Sequence, residues 1–365
     1  MKKRNILNLS LISLANLFGG ISLSLLSPFY PGEALKKGVS VTLSGLVLSS
    51  VYITTVICTP LIGRYIDILG ARKFLLVGSS VCALSNIVFG FLDFVEGSTI
   101  FLALSFIIRI VTAIGESAIP NSCMALATKQ LDKGNQGKAV ATCEACFGIG
   151  SIFGPSIGGL LYDYGGFSLP FFAHGSAQLL LAILCAVFLE DDRTPGYESL
   201  EEDSQVEVTW LKILAAPGVL LSSLTLCCSG IAWVWYAASL EPFLEETYAF
   251  SASSTGLVFM TLGITYTIFT PVFGFFLDRS MNGLTAMMIG TFIVAIAFSL
   301  LGPIPPLQAL LGSHSWITIL SVGLQGVGFA AVFLGSLIHM LKGASEAGLP
   351  DSEKVCIYYI APNIL

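Results

Sequence analysis

Apolar residues gather into ten runs separated by short polar breaks, at roughly 6–26, 41–62, 74–92, 98–120, 139–161, 168–189, 218–240, 251–276, 284–302 and 316–338. A helix needs about 20 mostly apolar residues to cross the hydrocarbon of a bilayer. Each run is long enough, so the pattern predicts an all-α membrane protein of ten spanning helices. The longest interior polar stretch, Glu190 to Thr209, is acidic and carries Pro195-Gly196, and it reads as a solvated linker. It divides the chain into a six-helix half (1–190), a linker (191–211), a four-helix partial second half (212–340) and a short tail (341–365).

The two halves share a text. Thr59-Pro60-Leu61-Ile62-Gly63-Arg64-Tyr65-Ile66-Asp67 returns 211 residues later as Thr270-Pro271-Val272-Phe273-Gly274-Phe275-Phe276-Leu277-Asp278. Over positions 40–67, 11 of 28 residues equal their partners at that offset. Chance in two apolar segments gives about three, so the repeat is an internal duplication. Each copy is an apolar helix ending in a glycine and, one turn later, an acid.

Composition agrees with lipid as the solvent: 55% of residues are hydrophobic and 11% charged, against roughly 25% charged in a soluble domain. The net charge of −6 therefore does not point to a soluble charged partner, and no basic stripe with interleaved aromatics suggests nucleic acid. Nearly all of the nine cysteines lie inside apolar runs, which argues against a disulfide framework; Cys143-Glu144-Ala145-Cys146 lacks the second ligand pair that zinc needs. Lys2-Lys3-Arg4 precedes an apolar run longer than a signal core, so the first run reads as a span that stays. With the N-terminus cytoplasmic, 14 of the 17 lysines and arginines fall on the inner side, Lys36 and Lys37 fall on the outer side, and Arg109 lies within a span. That is a positive-inside bias.

Three motifs in order resemble the major facilitator superfamily. Gly63-x-x-x-Asp67-x-x-Gly70-Ala71-Arg72-Lys73 looks like that family's loop between helices two and three, with Ile68 and Ala71 departing from its basic positions. Arg109 matches its intramembrane arginine, and Gly150-Ser151-Ile152-Phe153-Gly154-Pro155-Ser156-Ile157-Gly158-Gly159 matches the motif associated with antiporters. Ser27-Pro28-Phe29-Tyr30-Pro31 and Leu240-Glu241-Pro242 extend the likeness to the vesicular amine and polyamine transporter branch. The resemblance implies a gating role for Gly63, Asp67, Gly70, Arg72, Lys73, Gly274 and Asp278. It also implies a rocking interface between the halves for Gly150, Gly154, Pro155, Gly158 and Gly159, against plain helix packing. The family has twelve helices. The repeat places the counterpart of span five at about 350–371, where Pro350-Asp351-Ser352-Glu353-Lys354 and a short apolar run stand instead. Helices eleven and twelve are therefore expected to be missing.

Charges within a span cost roughly 2.5–3.5 kcal/mol each on insertion scales, so Arg109, Glu116 and Glu144 should face the bundle interior or one another. Arg109 and Glu116, seven apart, share a helix face. Two readings stand for the acids: a proton relay, or a latch pairing with Arg72, Lys73 or a helix terminus. An amine site should combine aromatic faces with an acid. Tyr52, Trp233, Tyr236 and Glu241 are candidates, against ordinary roles as interfacial belt residues or a solvated rim acid. Asn16 and Gln325 are polar in otherwise apolar spans. His174 and Gln178, one turn apart, read as packed.

The expected function is a secondary transporter exchanging protons for a small organic cation, amine or polyamine, by alternating access. The alternative is a non-transporting or regulatory form. No P-loop, metalloprotease or hydrolase motif appears, so neither an enzyme nor a cofactor is expected. Expected partners are the cationic solute, protons and the bilayer, with no nucleic acid; a vesicle membrane is the expected location.

Overall fold

The structure is a computed structural model that describes residues 3–129, 136–189, 216–279, 281–301 and 314–346. Among them lie eleven α-helices: α1 Lys3–Ser24, α2 Tyr30–Lys36, α3 Val41–Leu69, α4 Ala71–Gly90, α5 Ser98–Lys129, α6 Gln136–Gly165, α7 Ser168–Phe188, α8 Pro217–Tyr248, α9 Ala252–Arg279, α10 Gly283–Leu301 and α11 Ser315–Glu346. Ten are long and apolar enough to span a membrane, in the places the hydrophobic runs predict. The exception is α2, seven residues in the stretch after the first span, opened by Pro31 near its N-terminus, where a missing amide costs nothing.

Helix boundaries follow local chemistry. Ser40 caps α3, its hydroxyl accepting from the Leu43 amide. Gly70 ends α3 and begins α4 at φ +91°, a conformation that disfavours any side chain. One difference matters for function. The sequence ends the seventh span at 240, before Glu241-Pro242, yet α8 continues through Pro242 to Tyr248. Pro242 removes one main-chain hydrogen bond, but the helix carries on and adds Glu241 and Glu245 one turn apart.

The chain forms two compact units. The first comprises Met1–Glu201 and Trp235–Leu257, the second Glu202–Val234 and Val258–Leu365. The first unit thus reaches across the 191–211 linker, which lies outside the described residues, to take in the end of α8 and the start of α9. Residues 235–257 join it because Gly45 of α3 lies against Ala238, and Ser156 of α6 donates to the Gly256 carbonyl at 3.0 Å.

In the first unit α1 packs along α6 with almost no space between backbones. A Cβ at Gly150 would overlap the Leu17 carbonyl, one at Gly154 would strike Ser24 Oγ and the Ile21 carbonyl, and one at Gly158 would strike the Leu25 carbonyl. Without a hydrophobic drive between helices in lipid, such small-residue ridges supply close van der Waals packing. Two apolar clusters fill the bundle. One holds Ile12, Leu75, Ile119 and Leu126; the other, toward α2, holds Leu25, Phe29, Tyr30, Phe89, Phe101 and Phe171. In the second unit α10 and α11 meet through glycines: a Cβ at Gly283 would sit 2.7 Å from the Gly335 carbonyl, and one at Gly290 would sit 2.6 Å from the Gly328 carbonyl.

Candidate functional site

Two polar clusters occupy the first unit. The interior one lies, by position along α1, α4 and α5, between the two apolar clusters. Arg109 and Glu116 are both buried, with Nη1 to Oε1 at 3.9 Å. Ser22 of α1 donates to Glu116 Oε1 at 2.7 Å, and Asn86 of α4 donates to Ser22 Oγ at 2.9 Å. Three helices thereby converge on one carboxylate. Its charge is matched by the guanidinium, which is what makes the pair tolerable in an apolar interior. Sequence reasoning missed Ser22 and Asn86, although Asn86 carries the same signal as Asn16 and Gln325, a lone amide in an apolar span; Ser22, a small hydroxyl among others in its span, does not stand out.

The latch partners expected for the acids differ from those found. Arg72 donates to the Ala186 carbonyl at the end of α7, at 2.6 Å, while Glu116 pairs within its own helix. The side chains of Glu144, Asp67 and Asp278 lie outside the described residues. Nor do the motif glycines Gly63 and Gly274 mark close approaches. A Cβ at Gly63 meets nothing within 4 Å, and one at Gly274 meets only Leu334, at 3.6 Å. The glycine that the loop needs is Gly70, for its positive φ. The ridge of Gly150, Gly154 and Gly158 packs on α1 of the same half. On another face of α6, Gly159 and Pro155 meet the main chain of Ala252 and Gly256.

The second cluster sits at the α2 end. Its elements are α2, the last turn of α6, the end of α8 and the start of α9. They enclose a cavity of about 140 Å³, lined among others by Glu33, Lys36, Tyr162, Asp163, Glu241 and Glu245, with Phe29 and Phe250 as apolar walls. The Ser27–Pro31 and Leu240–Pro242 motifs, more than 200 residues apart, are neighbours here. Glu241 is 5% exposed, not the solvated rim acid that ordinary statistics favour. Its Oε2 has no hydrogen-bond partner among the described residues. Its other oxygen lies against Gly32: a Cβ built there would overlap Glu241 Oε1 and come within 2.9 Å of Glu245 Oε2.

Lys36 is already engaged. It donates to Glu33 Oε1 at 2.9 Å and to the Tyr162 hydroxyl at 3.1 Å, and that hydroxyl in turn donates to Glu33. Partial burial pulls the Lys36 ammonium down, but the bonds to Glu33 and Tyr162 outweigh it and hold the group above the ordinary lysine range. Phe29 stacks on Tyr162 with centroids 4.9 Å apart. Tyr30 beside it is fully buried; burial pushes its phenol up to about 12 against the opposing Ser105 hydroxyl and Arg109 charge. Asp163 Oδ2 accepts from the Ser253 amide at 2.9 Å and so caps the first turn of α9.

The other sequence candidates are dispersed. Asn16 donates to the Cys143 carbonyl at 2.9 Å, joining α1 to α6. Tyr236 is buried in the first unit, and Tyr52 is half-buried on α3. Trp233 and Gln325 belong to the second unit. There Trp233 packs on Phe329 at 5.5 Å, and Gln325 is fully buried with neither amide atom hydrogen-bonded among the described residues. His174 is buried with Phe18 stacked on it. No group of three or more metal-ligating side chains occurs among the described residues.

Ten helices long and apolar enough to span a membrane, packed through glycine-lined contacts, define a multi-pass membrane protein. The model of the Major Facilitator Superfamily matches residues 12–349, and the chain belongs to that superfamily. It is therefore a transporter of small molecules. Among similar proteins, the MFS-type transporter SLC18B1 of Rattus norvegicus is 30% identical over 329 residues, covering 90% of this chain and 70% of the relative. The synaptic vesicular amine transporter of Rattus norvegicus is 24% identical over 327 residues, covering 89% and 58%. The fold matches a bacterial homolog of the human lysosomal transporter Spinster, with a TM-score of 0.76 at 13% identity over 96% of this chain and 80% of that one. It also matches the xylose transporter XylE from E. coli, with a TM-score of 0.71 at 15% identity over 99% and 93%.

Proposed function

We propose that this chain exchanges a small organic cation, an amine or polyamine, for protons by alternating access, with its N-terminus in the cytoplasm and a vesicle membrane as its setting. The observation that carries this reading is Glu241, a buried acid with an unpartnered oxygen, facing a cavity walled by Phe29, Tyr162 and Phe250. A cation is drawn to both a carboxylate and an aromatic face, and the nearby lysine is already occupied by Glu33. The similarity to a synaptic vesicular amine transporter points the same way. In this reading Glu116 is the fixed counter-ion of Arg109 and a poor proton shuttle, because protonating it leaves the guanidinium uncompensated in an apolar interior. Gly70 supplies the turn of the gating loop, and Arg72 anchors α4 to α7.

Purified protein in liposomes with an acidic interior, offered a panel of labelled amines, tests the proposal. The expected outcome is amine uptake that collapses with the pH gradient and falls at least about tenfold in Glu241→Gln, the scale of one lost charged contact. Uptake indifferent to the gradient overturns the exchange. Uptake unchanged in Glu241→Gln overturns the site.

A further inference from the structure

The Glu241 cavity already holds a cation of the chain's own. Lys36 lies one turn past Glu33 on α2 and brings its ammonium to Glu33 Oε1 at 2.9 Å and to the Tyr162 hydroxyl at 3.1 Å. The lysine side chain is 58% exposed and that of Glu33 15%. The ammonium therefore reaches the acid from the water side, as a dissolved amine would. The receiving groups have support of their own: Tyr162 donates to Glu33 from α6 and stacks on Phe29, which also walls the cavity. A carboxylate and a phenol oxygen held in this way suit any primary ammonium, and a preorganised site loses little entropy on binding one. The rest of the wall offers less. Asp163 accepts from the Ser253 amide, and Glu245 is exposed. Glu241 is buried, with Oε2 lacking a hydrogen-bond partner among the described residues. The cavity thus has two built places for an ammonium, and one of them is taken.

We propose that Lys36 is a specificity-determining residue, a tethered ammonium that fills the Glu33–Tyr162 part of the cavity and leaves a solute only the Glu241 part. A group on a short tether competes at an effective concentration of about millimolar or more. A dilute amine does not displace it, so the second ammonium of a diamine finds its place occupied. Without Lys36 the same cavity holds both ends of a diamine, one on Glu241 and the other on Glu33 and Tyr162. The lysine therefore sets how many charges of a solute the cavity rewards. The inference rests on Glu241 as the acid that receives the first ammonium.

Calorimetric titration of the full chain in lipid nanodiscs tests it, with straight-chain diamines of three to six carbons, each set against the monoamine of the same length. The quantity read is the diamine-to-monoamine affinity ratio. In Lys36→Met it should rise at least about tenfold for the best-spaced chain, the scale of one charged hydrogen bond. Lys36→Arg keeps a tethered cation and should keep the parent ratio. Lys37→Met removes the same charge one residue on, where the ammonium is turned to the Leu92, Asp93 and Val95 carbonyls, and should keep it too. Glu33→Gln added to Lys36→Met should abolish the rise. A ratio unchanged in Lys36→Met overturns the inference. So does an equal rise in Lys37→Met or in the double variant, which would mark a diffuse field rather than a seat. If the inference fails in these ways while Glu241→Gln still weakens every amine, the Glu241 reading stands without it. Amine affinity untouched by Glu241→Gln, in the parent and in Lys36→Met alike, removes the site and this inference together.

Discussion

The two polar clusters of the first unit treat charge in opposite ways. Around Glu116 a counter-charge is in place: Arg109 lies 3.9 Å away and Ser22, itself held by Asn86, donates to Oε1, although Oε2 has no hydrogen-bond partner among the described residues. Around Glu241 the balance is left open, with four carboxylates on the cavity wall and one lysine, itself bound. A buried charge that is matched holds a structure together, and one left unmatched is available to a ligand. The difference between a brace and a binding site here is the presence of a partner, since burial alone is similar at both acids.

The comparison breaks first, and hardest, on stability. Glu116→Gln strands Arg109 and should destabilise the protein by about 3–5 kcal/mol, seen as an early thermal transition in detergent. Glu241→Gln removes a charge with no counter-ion and should melt no earlier than the parent. If both variants lose stability alike, the contrast fails. A smaller effect is expected from the scaffold beneath the clusters. Gly154→Leu forces α1 off α6 where Ser24 and Ile21 leave no room and should cost about 1–3 kcal/mol, measured the same way; Gly63→Leu, in open space, should cost far less. The smallest effect is expected at Lys37, which donates to the carbonyls of Leu92, Asp93 and Val95 and lies over the Phe101 ring. Lys37→Met should lose about 1 kcal/mol and raise amide exchange locally at 91–95. Exchange unchanged there would show that the clasp is not what holds the α2 segment to the turn that follows α4.

Much of the fold was legible from the hydrophobic runs because lipid leaves the backbone little choice but helix. The ten spans lie where the runs lie. The motif around Arg109 was visible too, since a charge in a span is rare enough to single out. Other parts were not. Glu245 was readable as the i+4 neighbour of Glu241, but ending the span at Pro242 hid it; a proline near a helix end interrupts one hydrogen bond and need not stop the helix. Gly150, Gly154 and Gly158 were legible as a ridge, yet not which helix the ridge meets. A four-residue spacing specifies a face and says nothing of its neighbour.

From the sequence alone came the solvent, the number and approximate place of the spans, the duplication, and the list of charges that had to be hidden. These are properties of single segments, fixed by transfer free energy and helix rise. Only the tertiary structure decided the pairings. It set Glu116 on Arg109 and Ser22, laid the α6 ridge on α1, and brought Gly32 against Glu241 and Glu245 across more than 200 residues of chain. A pairing depends on which surfaces meet, and packing in three dimensions, rather than local composition, determines that.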